Sequence, residues 1–161
     1  MVCVIDFDGT LLKNDFFKES FFIQLIENPF YFIQHFLIKK ASFLALKHQL
    51  LKKRLINYSI DHLINPLVLA WIQENRSLYK EIVIVSASPD FFVKALLSEL
   101  QIFDGIYGSE AINLKGVNKL AFIQEKWGND FHYMGDAKAD QPIFLAAQQA
   151  YKVSAKGISK L

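Results

Sequence analysis

Three short apolar runs, each ending at a polar residue, constrain the fold of this chain more than any other feature. Val2-Cys-Val-Ile5 ends at Asp6, Ile82-Val-Ile-Val85 ends at Ser86, and Phe131-His-Tyr-Met134 ends at Gly135-Asp136. Short β-branched and aromatic runs without polar alternation read as strands buried on both faces. Helical signals separate them. Asn65-Pro66 places a cap and a first-turn proline before a helix through Trp71 and Ile72, and Asn28-Pro29 opens another in the same way. Ser88-Pro89 predicts a serine-capped helix carrying Phe91, Phe92, Ala95, Leu96 and Leu100. Val117 to Lys126 has Leu120, Ile123 and Trp127 on one stripe, Pro142 to Gln149 is an Ala-rich helix, and Tyr151-Lys-Val153 reads as a last short strand. Such alternation predicts an α/β fold with a parallel sheet between helices. Ligands bind at the carboxyl ends of such strands, where Asp6, Ser86 and Asp136 all fall.

The stretch 15–59 breaks the alternation. It is apolar and aromatic, and it reads as all helical. No acidic residue occurs between Glu27 and Asp61, whereas Lys39, Lys40, Lys47, Lys52, Lys53 and Arg54 are all basic. The chain has 161 residues, which suits one domain with an insertion. The division expected is therefore a core of 1–14 and 60–161 with a helical insertion at 15–59. The longest uncharged stretch of the Phe-rich region, Asn28 to Ile38, is 11 residues, against the roughly 20 needed to cross a bilayer. Net charge is +2, and no glycine-aromatic reading platform is visible, so nucleic acid is not an expected partner. The single cysteine, Cys3, lies in an apolar run and suggests a buried thiol in a reducing, cytoplasmic setting. His35, His48, His62 and His132 show no metal-ligand spacing.

Asp6-Phe-Asp-Gly-Thr10 is the strongest chemical signal. Beside a divalent cation, a carboxylate such as Asp6 can attack phosphorus, and a second acid two residues on, Asp8, can protonate the leaving oxygen and then activate water. Gly135-Asp-Ala-Lys-Ala-Asp140 is the second signal. Magnesium favours oxygen ligands with few protein carboxylates, and Asp136 beside Asp6 would meet that preference. This requires the two to lie within about 8 Å of each other. Asp140 has two roles open to it, near the ion or as cap of the last helix. Ser86 can donate its hydroxyl to a phosphoryl oxygen, while Ser88 is assigned to the helix cap. A cation is also needed against phosphoryl charge. Lys115, followed by Gly116 where a helix begins, is the preferred candidate, and Lys119, one turn further on, is the alternative.

These four stretches in this order resemble the haloacid dehalogenase (HAD) superfamily over the whole chain, and the Lys-Gly start of the third is similar to phosphoserine-phosphatase-like members. The resemblance implies a Rossmann-like core with a cap inserted between the first and second motifs. It implies Mg²⁺ held by the Asp6 and Asp136 side chains and the Asp8 backbone carbonyl, and hydrolysis of phosphomonoesters through phosphoaspartate on Asp6. Phosphate binding is expected from Gly9, Thr10, Ser86, Ala87 and Lys115. The insertion and Asn113-Leu-Lys-Gly116 are similar to the soluble HAD domain found ahead of UbiA-like membrane prenyltransferases. An apolar insertion rimmed by six basic side chains would suit a small or amphiphilic phosphate substrate, or peripheral contact at the inner face of a membrane, unless its Phe side chains simply pack the helices onto the core. The narrower likeness implies fusion to a membrane prenyltransferase. The alternatives are a phosphotransferase of the same mechanism and a non-catalytic docking module for a membrane partner.

Overall fold

In a computed structural model, the described residues are 1–14, 26, 30 and 63–161. The helix expected from Asn28-Pro29 and nearly all of the 15–59 insertion fall outside them. Element labels below count the described elements in chain order.

Six strands form one sheet: β1 (Val2–Ile5), β2 (Glu81–Pro89), β3 (Gly105–Ser109), β4 (Phe131–Gly135), β5 (Gln149–Ser154) and β6 (Gly157–Lys160). Their order is β3-β2-β1-β4-β5-β6. All neighbouring pairs are parallel except β5 with β6. In this order the direction of winding reverses between β1 and β4, which opens a crevice at their carboxyl ends. Asp6 and Asp136 follow those two strands. Among the described residues, four α-helices cover the sheet: α1 (Pro66–Asn75), α2 (Asp90–Leu96), α3 (Val117–Trp127) and α4 (Gln141–Ala146).

The period-two geometry of a strand divides the core into two layers. Cys3, Ile5, Ile82 and Ile84 face one way and pack with Val68 and Ile72 of α1 and Phe92, Val93 and Leu96 of α2. Val2, Val4, Val83, Val85, Phe131 and Tyr133 face the other way, against Ile123 of α3 and Ile143 of α4. Both faces of β1 and β2 are thus covered, which is why these strands read as continuous apolar runs rather than alternating ones. Cys3 is a free buried thiol, and burial pushes its pKa upward. Helix α1 is capped as its sequence predicts, with the Asn65 side chain accepting from the Leu67 amide at 3.1 Å.

The structure departs from the sequence expectation in several places. Strands β3 and β6 carry no clear strand signal, being Gly-Ile-Tyr-Gly-Ser and Gly-Ile-Ser-Lys at the two edges of the sheet. Strand β2 does not stop at Ser86 but continues to Pro89, with its register against β3 shifting between Val85 and Pro89. Ser88 therefore sits in the strand; the residue before α2 is Pro89, and no side chain caps that helix. Gly108 permits this path, since a Cβ there would strike the backbone of Asp90. Gln149, expected to end the last helix, begins β5, and α4 stops at Ala146.

Candidate active site

Asp6 leaves β1 with its amide still bonded to the Met134 carbonyl at 2.9 Å, so the loop starts from a fixed point on the sheet. Phe7 turns into the core and is fully buried, which leaves its neighbours Asp6 and Asp8 to line a cavity of about 1190 Å³. The loop closes on itself through Leu11 N to Asp6 O (3.3 Å), Leu12 N to Phe7 O (2.9 Å) and Gly9 N to Asn14 O (3.3 Å). Gly9 has φ +79°, and a Cβ at this position would collide with the Asp136 carboxylate. Its glycine is required twice over, by conformation and by the close approach of the two acidic loops.

Three carboxylates converge here. Asp6, Asp136 and Asp140 each offer an oxygen within 4.8 Å of the other two. Opposite ligands of one Mg²⁺ stand ~4.2 Å apart, from bonds of ~2.1 Å, so the set fits a small oxygen-seeking cation. A further sign of fit is that Asp140 Oδ2 is buried with no hydrogen-bond partner among the described residues. Asp140 does not cap α4 with its side chain. Its pKa is raised from 3.8 to about 6, first by burial and then by the charge of Asp6, against the opposing pull of Lys119.

The ammonium group that meets this cluster belongs to Lys119. In the first turn of α3, its side chain is only 2% exposed, and Nζ donates to Asp6 Oδ1 at 2.5 Å and to the Tyr133 hydroxyl at 3.3 Å. Asp140 Oδ1 lies 3.8 Å away. Burial alone would lower the lysine pKa, but Asp6 and Asp140 outweigh it and hold the group charged. Lys115, preferred from the sequence, does not make this contact: it is exposed and lines the same cavity further out. The sequence did contain a signal for Lys119, which lies four residues before the buried Ile123 and so shares its inward face.

Of the remaining predicted residues, Asp8, Gly9 and Ala87 line the same cavity, whereas Ser86 and Thr10 are fully buried beside it and are not part of its lining. Asp8 Oδ2 accepts a 2.6 Å hydrogen bond from the Ser88 hydroxyl, so the serine read as a cap instead holds an acid of the loop. Ser86 is fully buried and its Oγ accepts from the Ser88 amide at 2.9 Å. Two serines two residues apart share one face of a strand, a signal that could have linked Ser88 to the site. Ala87 lines the cavity, and Thr10 is buried with Oγ1 lacking a hydrogen-bond partner among the described residues. Ser109, not singled out in the sequence, ties the end of β2 to the loop before α3: its Oγ donates to Ser86 O at 3.3 Å and accepts from Leu114 N at 2.9 Å. His132 is remote from the cluster and pairs with the Tyr79 hydroxyl at 2.8 Å.

Residues 3–145 match the family of haloacid dehalogenase-like hydrolases, and the chain belongs to that family. Among curated proteins it is 33% identical over 154 residues to the uncharacterized protein y4nM of Sinorhizobium fredii (strain NBRC 101917 / NGR234), a match spanning 93% of this chain but only 29% of that protein. Similar solved structures include a HAD family hydrolase from Salmonella enterica serovar Typhi (TM-score 0.59, 14% identity, 91% of this chain and 59% of that one). Another is a phosphoserine phosphohydrolase-like protein from Francisella tularensis (TM-score 0.63, 18% identity, 92% and 84%). A third is a phosphoserine phosphatase solved as a phospho-aspartyl intermediate analogue (TM-score 0.54, 18% identity, 92% and 84%). At these identities the likeness is one of fold. Among the described residues, no helix is long and apolar enough to cross a membrane.

Proposed function

We propose that this chain is a Mg²⁺-dependent phosphomonoester hydrolase in which Asp6 takes the phosphoryl group. The observation that carries the reading is the buried contact of Lys119 with Asp6, set beside the Asp136 and Asp140 carboxylates. Asp6, Asp136 and the Asp8 backbone carbonyl would hold the ion, with Asp140 close behind. When bound, the ion would supply positive charge against the phosphoryl oxygens.

The chain's own residues account for the remaining work. Lys119 offsets the charge of Asp6, which lets a dianionic phosphate approach a carboxylate. An Asp6 oxygen attacks phosphorus, the bond from phosphorus to the ester oxygen breaks, and Asp8 donates its proton to the departing alcohol. Water then attacks the same phosphorus, the acyl phosphate bond breaks, and Asp8 takes the proton from that water. Ser88 orients Asp8 for both transfers. A similarly folded phosphoserine phosphatase solved as a phospho-aspartyl intermediate analogue supports an aspartyl-phosphate intermediate here.

The test is hydrolysis of p-nitrophenyl phosphate with and without Mg²⁺, comparing the wild-type chain with Asp6→Asn. The expected result is metal-dependent turnover that falls by roughly a thousandfold or more in the variant. Equal rates in the two proteins would end the reading.

A further inference from the structure

The cavity segregates charge by depth. Among the described residues, its acids, Asp6, Asp8, Asp136 and Asp140, are buried or half-buried, whereas Lys13, Lys115 and Lys152 line the same cavity as exposed residues. Three different features of the backbone bring these lysines to the lining of the one cavity. Lys152 on β5 pairs in register with Gly135, directly before Asp136. Lys13 lies within the loop that Gly9 N closes onto Asn14 O, and its own amide donates to Leu63 O at 2.9 Å. Lys115 precedes Gly116, where a Cβ would stand 3.3 Å from the Ala139 carbonyl, so the start of α3 lies close against the Asp136–Asp140 loop.

A phosphoryl group occupies little of about 1190 Å³, and the deep end already provides Lys119 and a cation site for it. We infer that the substrate carries a second anionic group, a carboxylate or a second phosphate, received by the exposed Lys13, Lys115 and Lys152. This rests on the phosphatase reading and adds the class of leaving group. Lysines suit such a role because each is a mobile point charge that follows an anion without demanding one bidentate geometry, and a cleft rimmed by one sign of charge concentrates the opposite one.

The experiment compares three matched monoesters at fixed ionic strength: propyl phosphate, 3-phosphonooxypropionate and propane-1,3-diyl bisphosphate. The wild-type chain should show kcat/KM at least about tenfold higher for one or both anionic esters, with the gain in KM, and the better of the two identifies the second group. In Lys152→Gln and Lys13→Gln the ratio of anionic to neutral ester should fall toward one. A wild-type ratio near one overturns the inference. So does a ratio that survives both substitutions, or an equal loss on all three esters, which would mean the lysines only draw in the phosphate. Calorimetric binding of the same esters to Asp6→Asn in the presence of Mg²⁺ separates the two readings. No hydrolysis by wild type, together with a retained preference in binding, would sink the phosphatase reading and leave this one standing. Equal binding of all three would sink it.

Discussion

The two ends of the sheet handle charge in opposite ways. At the amino end, Asp104 is filled: Arg76 reaches its two oxygens at 2.8 and 3.0 Å, and the Ile82 amide adds a third bond at 2.7 Å. Arg76 also donates to the Tyr79 carbonyl at 3.0 Å. The pair is 42% and 32% exposed, and it fastens the start of β2 to the turn after α1. At the carboxyl end, among the described residues, three carboxylates crowd one ammonium, and Asp6, Asp140 and Lys119 are all almost wholly buried. A set built for stability alone would balance its charges, because an unpaired charge in a low-dielectric interior is costly. Among the described residues, the surplus of negative charge within this buried cluster, at the crevice where the winding of the sheet reverses, marks it as a place prepared for something else to bind.

The comparison breaks most visibly at Lys119. Its removal in Lys119→Met leaves three clustered carboxylates without their cation, which should cost about 3–5 kcal/mol of stability in the absence of Mg²⁺ and abolish most turnover. Lys115→Met should stay within about 0.5 kcal/mol, since it alters an exposed side chain. Urea unfolding of both variants checks the contrast; equal losses would mean that Lys119 has no special place in the cluster.

Asp140 should give the next largest effect. Because its folded pKa is raised, the protonated form is favoured in the native state. The resulting stabilisation is fully present below about pH 3.8 and is lost as pH rises through about 6. A move of that size corresponds to on the order of 3 kcal/mol. Metal-free wild type should therefore lose stability from this group between those limits, and Asp140→Asn should flatten that part of the curve. Chemical denaturation in chelator at a series of pH values checks it, and a variant curve parallel to wild type would refute it.

The same contrast explains what could be read from the sequence. Strands β1, β2 and β4 were legible because burial on both faces leaves a continuous apolar run, and the acids at their ends followed from topology. Strands β3 and β6 were not, because an edge strand is paired on one side only and its glycines and serines carry no alternation. The choice between Lys115 and Lys119 depended on the rotation of α3 relative to the sheet. Gly116 at φ +57° sets the start of that helix, and tertiary packing, not local pattern, decides which lysine turns inward. Ser88 was misread for a related reason: Ser-Pro has a strong local meaning as a helix start, and the pairing of β2 with β3 overrode it by carrying the strand three residues further.

The smallest expected effect sharpens the comparison from the other end. Arg76→Ala removes a two-oxygen ion pair, but one open to solvent, where screening and side-chain entropy offset most of the Coulombic gain. Asp104 keeps its bond from the Ile82 amide and can recruit water for the rest. The loss should be about 1 kcal/mol, seen as a small shift of the urea midpoint with an unchanged slope. kcat on p-nitrophenyl phosphate should not change, since the sheet's length separates this pair from the crevice. A marked fall in kcat with intact folding would show that the two ends are coupled through β2, and that the amino-end pair helps to set the position of Ser86 and Ser88 as well as to hold the strand.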